Sequence, residues 1–237
     1  MPVQVEIWTD INCPFCYLGK QRFETALADF EHRDDVRVVH RSFELDPTLA
    51  PGDTGAVIPK IARKYGMSVE QAAANERALG AQAEAMGLPY LTEGRDYGSS
   101  FDMHRLLHWA LARGEQEKLL DALYHANFAD ERPAFGDRER LVTIATDAGF
   151  DPEAVRAVLD DPAAYADAVR ADEQAAADLG ITGVPFYVLD GKYAVSGAQP
   201  AEVFGQALAT AWANRAPAVQ LVGSGDTCGP DGCELPQ

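Results

Sequence analysis

The chain has 237 residues, 47% of them hydrophobic and 24% charged, with a formal net charge of −17. That balance belongs to an ordinary globular protein, built as one large domain or as a small domain carrying a big insertion. The acidic charge argues against nucleic acid and anionic membrane as partners, since both need basic patches, and no apolar run of about 18 residues could span a bilayer.

The first predicted element, Val3-Gln4-Val5-Glu6-Ile7-Trp8, alternates apolar and polar residues as a half-buried strand does. After the turn Thr9-Asp10-Ile11-Asn12 comes Cys13-Pro14-Phe15-Cys16, with Pro14 at the first position of a helix. Apolar residues then recur at helical spacing through Tyr17, Leu18, Phe23, Leu27 and Phe30. Cys13 thus stands at a helix N-terminus, where free N–H groups and the helix dipole favour a thiolate, and Cys16 lies one turn on along the same face. This is the spacing of a redox dithiol. The N-terminus opens directly on strand sequence, without a signal peptide pattern, so a cytoplasmic location is expected. In that reducing setting, four cysteines grouped in two pairs read as catalytic or metal-binding sooner than structural.

Val36 to Phe43 reads as a second strand, parallel to the first through a helical crossover. Asp46-Pro47 ends it, and a loop follows to about Gly55. From there to Gly180 only helical patterns are found. Ser68-Val69-Glu70-Gln71 is a capping box for a helix running to Met86 and closed by Gly87. Phe101–Ala112 carries a stripe of Met103, Leu106, Leu107, Ala110 and Leu111. Further stripes run through Leu119 to Phe128 and Leu141 to Ala148. Asp151-Pro152 and Asp161-Pro162 are cap-plus-proline starts of two more helices, the second ending at Gly180. Strand sequence returns at Pro185–Leu189 and Lys192–Val195 around the hairpin signal Asp190-Gly191, and Pro200 opens a last helix. Past Asn214 the composition turns to Gly and Pro, yet it holds a second pair, Cys228 and Cys233.

Three stretches resemble the thioredoxin superfamily: Cys13-Pro-Phe-Cys16, Arg41-Ser-Phe-Glu-Leu-Asp-Pro47, and Gly183-Val-Pro-Phe186 continuing through Gly197-Ala-Gln-Pro200. Within it the chain is most similar to DsbA-like oxidoreductases of the FrnE group, which are related to 2-hydroxychromene-2-carboxylate isomerases. Phe101-Asp-Met-His-Arg-Leu-Leu-His108 and the doubled cysteine tail also look like that group. The resemblance implies an α/β thioredoxin-like fold with a large all-helical domain inserted after the second strand. The thioredoxin-like part would be 1–45 and 183–214, the helical insertion 46–182, and an irregular tail 215–237. It further implies a cis peptide between Val184 and Pro185, lying against the dithiol and pairing with bound peptide.

The expected activity is thiol–disulfide exchange, with Cys13 as nucleophile and Cys16 as resolving thiol. Pro14, Phe15, Val184 and Pro185 would contact substrate. The disulfide itself suffices, so no cofactor or metal is required, with glutathione as a candidate co-substrate. Expected partners are protein or peptide thiols and disulfides, for a monomer or homodimer. Asp10 is a candidate proton acceptor or a local turn carboxylate; Lys20 is expected to be a solvated helix lysine. His104 and His108 have the spacing of a metal pair, but with only Asp102 in support they read as packing or hydrogen-bonding residues. On the resemblance, His104 and Arg105 line a cleft between the insertion and the dithiol. The tail pair Cys228/Cys233 is a candidate auxiliary redox pair. About fourteen residues separate it from the last helix, which at ~3.3 Å each reach ~46 Å, against a radius of gyration of ~16–17 Å for a ~200-residue domain. Two rival readings are a glutathione-dependent small-molecule isomerase or transferase and a non-catalytic zinc-binding or redox-sensing module.

Overall fold

The computed structural model describes residues 2–215 and the short segments 228–229 and 232–233. Its four-stranded sheet has the order β2-β1-β5-β6, formed by β1 (Val3–Thr9), β2 (Val36–Ser42), β5 (Phe186–Leu189) and β6 (Tyr193–Ser196). β1 runs parallel to β2 from Val3↔Val36 to Thr9↔Ser42 and antiparallel to β5, with Trp8 opposite Phe186. The alternation in β1 sends Val3, Val5 and Ile7 to one face, where Phe23 of α1 (Pro14–Ala28) and Phe204 and Leu208 of α9 (Ala201–Ala213) cover them. Trp8 faces the other way, packs with Ala176, and donates its indole N–H to the Asp172 carbonyl at 2.9 Å. Asp190 and Gly191 take the left-handed φ of 52° and 64° in the three-residue turn between the paired Leu189 and Tyr193, where Lys192 N–H donates to the Leu189 carbonyl at 3.0 Å.

Between β2 and β5 lie α2 (Val57–Tyr65), α3 (Val69–Ala85), α4 (Phe101–Leu111), α5 (Gln116–Phe128), α6 (Arg138–Asp147), α7 (Pro152–Asp160) and α8 (Ala166–Asp178). Their largest apolar cluster takes in Leu106, Leu119, Leu123, Phe128 and Ile144, and it extends to Cys16 and Tyr17 of α1. The Ser68 hydroxyl accepts from the Gln71 N–H at 3.1 Å, as the capping pattern requires.

Two expectations for this region need correction. It is not wholly helical, because β3 (Gly55–Ala56) and β4 (Asp96–Tyr97) form a two-stranded ribbon. At two residues each, the strands are too short for any period-2 pattern to register. Asp161-Pro162 does not open a helix either. Asp161 accepts from the Ala163 N–H at 2.9 Å, the chain turns, and α8 begins only after Tyr165 at φ 60°. The buried guanidinium of Arg105 takes the carbonyls of Val158, Asp161 and Ala164 and so fixes that turn.

In the tail, β7 (Cys228–Gly229) pairs antiparallel with β8 (Gly232–Cys233), with Cys228 opposite Cys233. The side chains of that pair and the rest of the expected tail lie outside the described residues.

Candidate active site

Strand β1 ends at Thr9, and a tight turn delivers Cys13 as the N-cap of α1 with Pro14 at the first helical position. Pro14 has no N–H to leave unpaired, so its position costs the helix nothing. The turn is held from several sides. Cys13 N–H donates to the Asp10 carbonyl at 3.0 Å. Asn12 Nδ2 donates to the Gly98 carbonyl at 2.8 Å, and Asn127 Nδ2 of α5 to the Ile11 carbonyl at 2.7 Å. Cys13 makes no side-chain cap bond. Its Sγ instead lies 3.5 Å from the Val184 carbonyl oxygen, and the Val184–Pro185 peptide is cis. Pro185 O accepts from Gly197 N–H at 2.8 Å, tying that loop to the end of β6.

Both sulfurs are buried, Cys13 to 3% and Cys16 to 2% exposure, so neither is the more open of the two in this state. They differ in surroundings. Cys16, like Cys13, belongs to the apolar cluster shared with α4 and α5, but it does not line the main groove. Burial first, then the neighbouring Cys13, pushes its thiol well above the ordinary range, so it stays protonated until a partner sulfur is presented. Cys13 instead borders a groove of about 680 Å³ between the α1 N-terminus, the Gly183–Val184 loop, α2 and α3. Phe15 and Tyr65, 48% and 56% exposed, flank it. Buried Glu76 and Arg95 are ion-paired in its wall, and Tyr90 donates to Glu76 at 2.9 Å.

The structure brings Cys13, Pro14, Phe15 and Val184 to this groove, with Asp10 and His104 behind it. Asp10 is fully buried; its carboxylate accepts from Asn12 N–H at 3.1 Å and Leu45 N–H at 2.7 Å. Burial opposes its charge, but His104 and the Leu45 N–H outweigh that and hold the carboxyl below its usual range. The Asn12 bond is the one a turn carboxylate makes.

Arg105 is not a cleft residue. It is 1% exposed and spent on the α7–α8 turn carbonyls and Asp102. His108 reaches Ser42 at 3.1 Å and Asp172 at 3.0 Å, bonding helix to strand. Lys20, expected in solvent, is buried and ion-paired with Glu24, Glu117 at 2.6 Å and Asp121 at 2.6 Å. Those three carboxylates are close enough together for an ion among the described residues, but the Lys20 ammonium contacts all of them.

Sequence reasoning did not find Asn127, Glu76, Arg95, Tyr65 or Tyr97. Only Asn127 left a signal, as a polar residue inside the apolar stripe of α5.

The family model of the DSBA-like thioredoxin domain matches residues 4–209. A probable DsbA oxidoreductase from Streptomyces coelicolor, solved by crystallography, is 63% identical at a TM-score of 0.89, covering 99% of this chain and 100% of that one. The uncharacterized protein YwbO of Bacillus subtilis is 25% identical over 88% of this chain and 96% of its own length. A 2-hydroxychromene-2-carboxylate isomerase structure shares the fold at 19% identity and a TM-score of 0.63, covering 87% of this chain and 95% of that one.

Proposed function

This chain belongs to the DSBA-like thioredoxin domain family, and we propose that it is a thiol–disulfide oxidoreductase in which Cys13 attacks and Cys16 resolves. One observation carries the reading: Cys13 caps α1 beside the Val184 carbonyl and borders the groove, whereas Cys16, in the same apolar cluster, does not line it. The helix terminus favours an anion on Cys13. The Cys13 thiolate attacks one sulfur of a substrate disulfide; that S–S bond breaks, and the released substrate thiolate takes up a proton. Cys16 then loses its proton and attacks Cys13, closing the protein disulfide and expelling the second substrate thiolate. The substrate gains two electrons and the dithiol loses two; in the reverse direction the same steps oxidise a substrate. Val184 and Pro185 hold the substrate strand, and Phe15 packs on it. The proposal extends to the tail, where Cys228 and Cys233 pass electrons to or from the Cys13/Cys16 pair.

Trapping tests this reading. A Cys16→Ser variant mixed with a peptide disulfide holds one peptide on Cys13, seen as a mass adduct released by reductant. No peptide adduct, together with a lasting glutathione adduct, transfers the proposal to glutathione-dependent isomerisation.

A further inference from the structure

Behind the dithiol the sequence places a carboxylate three residues before Cys13, and its fold buries that carboxylate completely. A fixed anion there opposes a thiolate on Cys13, which would favour the disulfide over the dithiol. The structure places an imidazole from another element beside that carboxylate. His104 of α4, 1% exposed, directs Nε2 to 3.7 Å from Asp10 Oδ1. That nitrogen has no hydrogen-bond partner among the described residues, and 3.7 Å is too long for a hydrogen bond to Asp10. His104 also faces Glu44, which is buried and held by Arg170 at 2.7 Å. With Glu44 already matched to Arg170, Asp10 is the carboxylate that a cationic imidazole at this position would balance.

We infer that His104 is a positioning residue that sets the redox equilibrium of Cys13/Cys16 by offsetting the buried Asp10 charge. The inference rests on the dithiol reading above. The backbone N–H bonds from Leu45 and Asn12 to the Asp10 carboxylate do not depend on the imidazole. Removing His104 therefore exposes Cys13 to an unbalanced anion, destabilises the reduced form and favours the disulfide. Removing the Asp10 charge does the opposite. A residue that merely packs α4 against the turn would not produce shifts of opposite sign.

The experiment equilibrates the full chain with reduced and oxidised glutathione and measures the fraction of Cys13–Cys16 disulfide by alkylation and mass spectrometry. Two glutathione thiols give up two hydrogens and become one disulfide as the protein disulfide becomes two thiols, so the balance is closed. His104→Gln is expected to move the equilibrium about tenfold toward the protein disulfide, which is about 30 mV, and Asp10→Asn to move it toward the dithiol. Circular dichroism checks that each variant is folded; if His104→Gln is not, Asp10→Asn alone decides. Shifts of the same sign, or none, overturn the inference. A wild-type pair that does not interconvert at all with glutathione overturns instead the reading on which it rests.

Discussion

Lys20 holds one ammonium among three carboxylates, one on its own helix and two on α5, and is itself buried. The attraction raises its basicity further despite the cost of burial. Glu24, Glu117 and Asp121 remain 40–58% exposed, so solvent relieves part of their repulsion if the cation is lost. Lys20→Met is therefore expected to cost about 2 kcal/mol, between the values for surface and buried pairs, read from urea unfolding at pH 7. The pH dependence has a definite sign. Burial resists the Glu117 charge, but His40 and Lys20 hold its carboxyl well below the usual range. Its contribution is thus complete above the unfolded value of about 4.3 and is lost as pH falls through the folded one. Glu24, pushed up by burial, works the other way. Glu117→Gln should therefore flatten the loss of stability below about pH 5; an unchanged slope contradicts this. None of this was legible from Lys20 in sequence, where an i+4 lysine on a helix looks solvated until α5 is known to cross it.

At the scale of elements, α1 meets the Pro185 loop through a residue without a side chain. A Cβ on Gly19 would lie 2.7 Å from the Tyr187 hydroxyl, 3.1 Å from the Pro185 ring and 3.3 Å from Ala198. Tyr187 is fully buried between Phe23 and Phe204 and has little room to yield. Gly19→Ala should cost about 1–3 kcal/mol as an overpacked contact and slow the attack by Cys13, since the displaced loop carries the Val184 carbonyl. Wild-type urea stability in that variant would contradict the packing described. The strand–turn–helix unit around the dithiol was legible because period-2 alternation, Pro14 and helical spacing agree there. The ribbon of β3 and β4 and the groove wall of α2 and α3 were not, because what places them is tertiary packing: the α3 residues Leu79 and Ala83 rest on Leu18 of α1.

For the whole molecule, the order strand, helix, strand, helical block, hairpin, helix was readable from punctuation such as Asp190-Gly191 and Gly180. The cleft was not, since the same helix α4 sends His104 toward the dithiol turn and Arg105 away from it. Of the two active-site cysteines Cys13 alone lines the groove, and in the tail the backbones of Cys228 and Cys233 face each other across a strand pair. Replacing Cys228 and Cys233 with Ser should slow recovery of the oxidised Cys13/Cys16 pair during turnover while leaving its first reaction with substrate unchanged. Equal recovery in both proteins shows a passive tail. The division of labour between Cys13 and Cys16 is tested most directly in a Cys228→Ser/Cys233→Ser background, by mixing the reduced protein with a peptide disulfide and counting released peptide thiols. That parent should release two per protein and end as the Cys13–Cys16 disulfide, addition of Cys16→Ser should leave one, and addition of Cys13→Ser none. Release of peptide thiols by the Cys13→Ser protein at the parent's rate would contradict the account.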